Sequence, residues 1–416
     1  MTKKLLRVAN DLGNDTAKML INDKSFNVPS VIGTETENVE APHFETKAEK
    51  DTYMKNFFNH IEVSVASPNV SKSNKFLLGQ NAINSRASSR RFDINNFSGK
   101  SQDDLSLMLT LSTIAGARVQ DAYFAGEDLK KTLNTDVVMT TALPIQEGKK
   151  PGVIKNYTDK YLNADHLVTF YNLGQMITVK IHFIYVLVTL EGQAAQITIS
   201  NAPVVYPKLA GMLKDDLIKH YPKLKNVTAQ MIAGAKNTLG IDIGGKTVDF
   251  PVIMNGQANI KVSASAMHGY DNVLLLSIDQ LQAKQRNFET IGQLESYIQE
   301  GANPFDPDSY EQVTKVIGEA SNKLKTEIIN NTSKVIGSSS LNPSLVFVYG
   351  GGSIPMQRDT DLREELAAKL RSFNAGHDIP IVWVPKEMAQ KLNLMGLKLL
   401  LDAICKRLGL DKDSDK

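Results

Sequence analysis

The chain has 416 residues, of which 42% are apolar and 22% are charged, and its net charge is +2. This length is sufficient for two domains, and the near-neutral charge gives no electrostatic basis for binding nucleic acid or an anionic membrane. The single cysteine, Cys405, excludes an internal disulfide and favours a reducing compartment. The N terminus becomes polar too early for a secretory signal, and the apolar run 181–190 is too short to cross a bilayer. We therefore expect a soluble cytoplasmic protein without direct membrane contact.

The first part of the chain alternates strand-like and helix-like patterns, although residues 40–100 are mostly polar and irregular. The predicted elements are strands within 5–32, at 61–66 and 75–79, a helix at 104–119, a strand at 134–145 and a helix at 150–163.

The rest of the chain continues this alternation. Strands are predicted at 167–172, 176–188, 195–201, 237–245, 344–349 and 379–384. Helices are predicted at 207–219, within 270–300, at 309–331 and 361–373, and within 387–408. Strands that alternate with helices indicate an α/β fold.

Residues 238–250, TLGIDIGGKTVDF, combine a strand, a glycine turn and a return strand. Asp242 lies near the end of the first strand, Gly244 and Gly245 make the turn, and Thr247 precedes the return strand. A tight hairpin explains the two glycines. It does not explain an acidic residue in an apolar strand.

The same arrangement occurs in residues 5–21, LLRVANDLGNDTAKMLI. Asp11 precedes Gly13, while Thr16 and Lys18 share one face of the return strand. Glycine turns present N–H groups that bind anions, and a lone carboxylate can hold Mg²⁺ through water. The two hairpins predict a clamp for a Mg²⁺-bound polyphosphate between two lobes; two ordinary β-turns are the structural alternative.

A third glycine-rich motif, VYGGGSIP, occupies residues 348–355. A strand that ends in three glycines lets a flat ligand approach the backbone closely. The motif lacks the spacing of a dinucleotide-binding fingerprint, and the sequence contains no P-loop.

Taken in order, these motifs resemble those of the actin, sugar-kinase and heat-shock-chaperone ATPase superfamily from about residue 5 to 405. Two further segments resemble its connecting motifs, TALPIQE (141–147) and EMAQKLNLMGLKLLL (387–401). The resemblance implies an actin-like two-lobed ATPase fold, with duplicated ribonuclease-H-like sheets flanked by helices. The first lobe would comprise 1–165 and 394–416, with a variable subdomain at 35–103, and the second lobe 166–393.

Within that superfamily the sequence most resembles the bacterial plasmid-segregation actins of the ParM kind. The resemblance implies an ATPase that assembles into nucleotide-dependent filaments and moves plasmid DNA through a DNA-binding adaptor protein. The alternatives are a small-molecule, sugar-type kinase on the same fold, a monomeric ATP-driven binding module, and a membrane-tethered division actin.

The same resemblance implies roles for individual residues. Glu147 would position or polarise the attacking water, and Asp11 and Asp242 would organise Mg²⁺ through water. ATP, with GTP as the alternative nucleotide, would contact Gly13, Asn14, Thr16, Lys18, Gly244, Gly245, Lys246, Thr247, Glu319, Lys323, Gly350, Gly351, Gly352 and Ser353. Glu319 and Lys323 have the i,i+4 spacing of one helix face.

Some residues depart from the family pattern. Lys246 stands where the family has a small residue, and it either reaches a phosphate or points to solvent. Asp15 adds a negative charge to the first turn, so we expect it to face outward. Pro251 removes a donor from the return strand, which predicts a bulge or an edge there. The basic cluster at 86–91, with Lys72 and Lys75 upstream, is either a solvated loop or a filament or partner contact.

Overall fold

The computed structural model describes residues 3–34, 42–71, 74–85, 87–92, 99–339 and 341–410. Strands and helices alternate along the chain, which confirms the predicted α/β class, and they form two compact units. Unit 1 comprises Met1–Leu143, Lys150–Leu190 and Leu394–Lys416, and unit 2 comprises Pro144–Lys149 and Glu191–Asn393.

The strands, in chain order, are β1 (Lys4–Leu12), β2 (Thr16–Ile21), β3 (Lys24–Pro29), β4 (Val31–Thr34), β5 (Glu62–Ala66), β6 (Phe76–Leu78), β7 (Ser88–Arg91), β8 (Leu133–Leu143), β9 (His166–Phe170), β10 (Ile177–Leu190), β11 (Thr238–Ile243), β12 (Val248–Phe250), β13 (Val252–Met254), β14 (Gln257–Ala258), β15 (Ala264–Ala266), β16 (Leu345–Tyr349) and β17 (Ile381–Trp383).

The α-helices are α1 (Lys47–Lys55), α2 (Gln80–Asn84), α3 (Asp104–Phe124), α4 (Ile145–Gly148), α5 (Val153–Leu162), α6 (Gln193–Val205), α7 (Pro207–His220), α8 (Ala229–Ala233), α9 (Tyr270–Ala283), α10 (Ile291–Glu300), α11 (Pro307–Ser339), α12 (Ser353–Asp359), α13 (Leu362–Arg371), α14 (Lys386–Ala389) and α15 (Leu392–Arg407). Within the described ranges, every helix is too short or too polar to cross a membrane.

Unit 1 is built on a mixed sheet with the strand order β3-β2-β1-β8-β10-β9-β5-β6-β4-β7. β1, β8 and β10 run parallel, so their carboxyl ends meet at one edge of the sheet. Helix α3 covers the sheet and is buried on almost every side, as its apolar sequence requires. Asp103 caps this helix, because its carboxylate accepts the N–H of Leu105 at 2.9 Å.

Unit 2 contains a second sheet, in which β14-β13-β11-β12-β15 are neighbours, β16 pairs with β11, and β17 pairs with β16. β11, β16 and β17 are parallel and buried, and their carboxyl ends meet at one edge. The turns after β11 and after β16 therefore lie at the same edge. Open α/β sheets bind ligands at this kind of edge.

The segment 195–201, which we predicted as a strand, is helical and lies within α6. The prediction is wrong because it weighted the β-branched residues Ile197, Thr198 and Ile199. The buried positions of α6 recur at a helical interval, from Ala194 and Ala195 to Thr198 and Ile199 and then Ala202.

The boundary predicted at residue 165 also differs from the structure, in which unit 1 continues to Leu190. β10 pairs in parallel with β8 along the length of β8, and β9 pairs with β10. These two strands therefore belong to the first sheet. The short helix α4, by contrast, belongs to unit 2.

Pro251 separates β12 from β13, and the predicted bulge or edge is not found there, since both strands have neighbours on both sides. The pairing with β11 keeps one register on both sides of the interruption, so the strand is broken without a bulge.

Candidate functional site

The first hairpin joins β1 to β2 at the carboxyl edge of the sheet in unit 1. Asp11 pairs with Lys18 in register, and Leu12 pairs with Ala17. A Cβ atom on Gly13 would lie 2.6 Å from the carbonyl oxygen of Thr16, so only glycine fits there. The predicted hairpin and its glycine requirement are thus present.

Positive charge surrounds the carboxylate of this hairpin. Burial raises the pKa of Asp11, while the ammonium groups of Lys18 and Lys100 oppose that rise. Lys100 was absent from the residues predicted for the site. Its Nζ donates to the carbonyl oxygen of Leu12 at 2.7 Å.

The remaining turn residues differ in exposure. Asp15 is exposed as a residue, but partial burial of its carboxylate raises its pKa, and the charges of Arg91, Lys100 and Lys18 oppose that rise. Its carboxylate therefore lies among the charged groups of the turn, and the expectation that it faces outward is not confirmed. Asn14 has a buried Oδ1 atom without a hydrogen-bond partner among the described residues. An amide can be turned to present its Nδ2 donor instead, and such a donor suits a phosphate oxygen.

The second hairpin joins β11 to β12 in unit 2, with Asp242 opposite Asp249. The N–H of Gly244 donates to the carbonyl oxygen of Thr247 at 2.9 Å and closes the turn. The carboxylate of Asp242 is buried, and its Oδ2 accepts the side-chain amide of Asn393 at 3.0 Å. Asn393 lies in the segment that resembles the second connecting motif.

Asn393 also fixes the start of helix α6. Its Oδ1 accepts the N–H groups of Gly192 at 3.0 Å and Ala195 at 3.2 Å. The Asn393 amide therefore donates to Asp242 through its nitrogen and accepts from the start of α6 through its oxygen. These bonds give the Asp242 carboxylate a defined orientation.

Helix α9 covers the turn of the second hairpin. The N–H groups of Tyr270 and Asp271 donate to the carbonyl oxygens of Gly244 and Gly245, each at 2.9 Å. A Cβ atom on Gly269 would lie 2.2 Å from the Gly245 carbonyl oxygen, and a Cβ atom on Gly245 would lie 2.5 Å from the Asp271 carboxylate. These glycines are thus required by packing, independently of any ligand.

Asp249 is the centre of a buried network that the predicted site did not include. Its Oδ2 accepts the hydroxyl of Thr247 at 2.9 Å, and its Oδ1 accepts the N–H of Ile145 at 3.3 Å and the hydroxyl of Ser265. Ser265 in turn accepts the N–H of Gln146 at 3.1 Å. The sequence signal was the second acidic residue of TLGIDIGGKTVDF.

This network positions the start of α4, the helix that carries Glu147. Glu147 is buried, and its N–H donates to the carbonyl oxygen of Pro144 at 3.1 Å. The first turn of α4 is therefore bonded to the second hairpin within unit 2.

The three glycines of the third motif follow β16. Gly350 has φ +91°, and a Cβ atom on it would lie 2.4 Å from Oδ1 of Asp242. The N–H of Gly352 donates to the carbonyl oxygen of Ile243 at 2.8 Å. Ser353 is fully buried, and its hydroxyl donates to the carbonyl oxygen of Gly350 at 2.7 Å. The loop thus packs directly against the end of β11, and Ser353 stabilises it.

A pocket of about 170 Å³ lies between α9 and α11. Gly269 lines this pocket and also packs against the turn of the second hairpin, so the two are adjacent. Lys323 lines this pocket and is exposed, whereas Glu319 is exposed on the same helix but is not among the lining residues. His268 and Glu327 add polar groups, with His268 Nδ1 3.1 Å from Glu327 Oε2. No sequence pattern pointed to His268.

The acidic residues fit Mg²⁺ better than a metal that needs a protein cage. The described part of the chain has no cluster of three His, Cys, Asp or Glu residues suited to a metal ion. Mg²⁺ keeps several waters and needs only one or two carboxylates. Asp11 and Asp242 are each a single carboxylate in a buried or half-buried position beside a turn.

The basic cluster is dispersed over several elements. Arg90 and Arg91 lie on the exposed edge strand β7, where Arg90 pairs with Asp103. Lys75 pairs with Glu62. Arg86 and Lys72 lie outside the described residues. The filament-contact interpretation stays a prediction.

No family model and no curated protein sequence matches the chain. Solved structures of similar fold include the actin-like protein Alp7A, with 15% identity and a TM-score of 0.66 over 99% of this chain and 100% of that one. The Bacillus thuringiensis ParM with ADP has 15% identity and a TM-score of 0.56, covering 97% and 100%. Ta0583, an archaeal actin homolog, has 13% identity and a TM-score of 0.57, covering 96% and 99%.

Each of these similarities extends over almost all of both chains, and the motif order predicted the same fold from the sequence. The chain therefore has the actin-like fold that Alp7A, ParM and Ta0583 share.

Proposed function

We propose that the protein is an actin-like ATPase that binds Mg²⁺-ATP with the residues of both hairpins. The observation that carries this proposal is that each unit has a strand of its parallel core with an acidic residue at the second-last position, followed by a turn that contains glycine. The similarity to ParM structures solved with ADP, AMPPNP and ATP supports nucleotide binding.

Mg²⁺, when bound, would neutralise charge on the phosphates. Asp11 and Asp242 would hold it through water, and Asn393 keeps the Asp242 carboxylate oriented. Thr16 and Lys18 would donate to phosphate oxygens. The single hydroxyl proton of Thr247 is donated to Asp249, so Thr247 would have to turn away from Asp249 to donate to a phosphate.

Glu147 would accept a proton from the attacking water or orient it. Asp249 would act through position alone, because it fixes Thr247 on one side and the start of α4 on the other. The pocket beside α9 would receive the sugar or base, with Lys323 at its edge.

We further propose that the ATPase assembles into filaments that segregate plasmid DNA through a separate DNA-binding adaptor. The similarity to ParM and Alp7A supports this assignment. The net charge of +2 favours an adaptor over direct DNA contact.

Light scattering of the purified protein after addition of Mg²⁺-ATP tests the proposal, with electron microscopy of the same sample. We expect filaments with ATP and with a non-hydrolysable analogue, and phosphate release only with ATP. A small-molecule kinase would form no filaments and would hydrolyse ATP only when an acceptor substrate is present. Absence of filaments together with acceptor-dependent turnover would refute the assignment. Asp242→Asn serves as the inactive control.

A further inference from the structure

Lys100 is a buried lysine in the segment that leads from β7 into α3. Only 8% of its surface is exposed, and its ammonium group donates to the carbonyl oxygen of Leu12, the last residue of β1, at 2.7 Å. A charged ammonium is costly to bury unless other groups compensate it. Lys100 therefore brings a buried positive charge to the end of β1.

The charge of Lys100 acts on two carboxylates of the first hairpin, those of Asp11 and Asp15, and opposes the rise in pKa that burial causes in each. Among the described residues, Lys18 and Lys100 are the two cations that act on Asp11. Lys18 is the partner of Asp11 across the hairpin, whereas Lys100 reaches the same turn from another segment. The turn therefore has positive charge on two sides.

The backbone around Lys100 is well anchored, so its position does not depend on the side chain alone. Its carbonyl oxygen accepts the hydroxyl of Ser106 at 2.6 Å and the N–H of Asp103 at 3.3 Å. The next residue, Ser101, accepts the ammonium group of Lys160 through its carbonyl oxygen at 2.6 Å. Lys100 is thus held in place before any ligand binds.

We propose that Lys100 is a positioning residue of the nucleotide site, an inference that rests on the proposed function. Its bond to Leu12 holds the tip of the first hairpin, and its buried charge stabilises a polyphosphate bound at Gly13–Lys18. Charges in partly buried surroundings interact more strongly than charges in water. A triphosphate carries more negative charge than a diphosphate, so the contribution of Lys100 is larger for ATP.

Calorimetric titration of three variants with Mg²⁺-ATP and Mg²⁺-ADP tests this inference. Lys100→Met keeps the aliphatic stem and removes the charge, and Lys100→Arg keeps the charge. Lys160→Met is the matched control, because Lys160 anchors the same segment through the same type of bond. Thermal unfolding of each variant verifies that it is folded.

We expect Lys100→Met to weaken ATP binding at least tenfold and ADP binding distinctly less. Lys100→Arg should bind both nucleotides within about threefold of the unmodified protein, and Lys160→Met within about twofold. Equal losses in Lys100→Met and Lys160→Met, or equal losses for ATP and ADP, would overturn the inference. So would an unchanged affinity in Lys100→Met, and that result would leave the proposed function standing. An unmodified protein that binds no nucleotide would refute the proposed function itself, and this inference with it.

Discussion

Replacing Asp249 with alanine should separate the start of α4 from the second hairpin. Asp249 is 2% exposed and accepts hydrogen bonds from Thr247, Ile145 and Ser265. The two hydroxyl groups can rotate toward other acceptors, but the backbone N–H of Ile145 cannot. A buried donor without a partner costs about 1–3 kcal/mol, and the small cavity adds to this. We expect a loss of about 3 kcal/mol in the free energy of unfolding.

The same change should lower ATP hydrolysis more than it lowers nucleotide affinity. Glu147 is two residues beyond Ile145, so losing the hydrogen bond from Ile145 to Asp249 displaces the carboxylate that is proposed to orient water. A displacement of about 1 Å can cost about 100-fold in rate. We therefore expect kcat to fall by about 100-fold. The ATP dissociation constant should change by less than about fivefold.

Asp249→Asn is the matched control for this prediction. Its remaining oxygen can still accept from Ile145 and Ser265, and Thr247 can turn its hydroxyl to accept from the new amide. This variant should lose about 1 kcal/mol or less and retain more activity than Asp249→Ala. Urea unfolding and phosphate-release assays measure both effects. Equal kcat values in the two variants would refute the proposed positioning role.

Three further predictions concern other contacts. Gly350→Ala should abolish nucleotide binding, because its Cβ atom would clash with the Asp242 carboxylate and its φ of +91° strains any residue other than glycine. Calorimetric titration with Mg²⁺-ATP measures the affinity, and an unchanged affinity would contradict the prediction. Asp216→Ala should destabilise unit 2 by about 2–3 kcal/mol in urea unfolding, below the value for a fully buried pair, because it leaves the half-buried guanidinium of Arg363 without the carboxylate that it contacts at 2.9 Å. Adding Arg363→Met to Asp216→Ala should recover part of that loss, and no recovery would contradict the prediction. Burial lowers the pKa of His166, so the folded protein resists protonation there. Its contribution to stability is present above pH about 6.5 and is lost as the pH falls below that value, by at most about 1.4 kcal/mol per pH unit. His166→Gln should flatten this part of the stability–pH curve, and an unchanged curve would count against the assignment.

Much of the architecture is predictable from local patterns. Apolar strands such as 134–145 and 344–349, and helices with regular apolar spacing such as 207–219, match elements in the structure closely. Both hairpins were predictable because a glycine turn after an apolar strand has few alternative conformations. One exception was α6, where β-branched residues outweighed the helical interval of the buried positions. Another was the polar segment 40–100, which contains α1, α2 and β7 in addition to the predicted strands.

The candidate site was only partly predictable, because its supporting residues come from distant parts of the chain. Asn393 bonds to Asp242 across 151 positions, and Ile145 bonds to Asp249 across 104. Lys100 reaches Leu12 across 88 positions. Local sequence patterns carry no information on such pairings.

The sequence by itself determined the α/β class, the two glycine hairpins and the acidic residue in each of them. These features depend on hydrophobic periodicity and on backbone conformations that few residues adopt, and both are local properties. Tertiary structure alone decided that β9 and β10 belong to the first sheet and that α4 belongs to unit 2. It also decided which buried side chains support each hairpin, because strand pairing and the burial of polar groups are settled only when distant segments pack together.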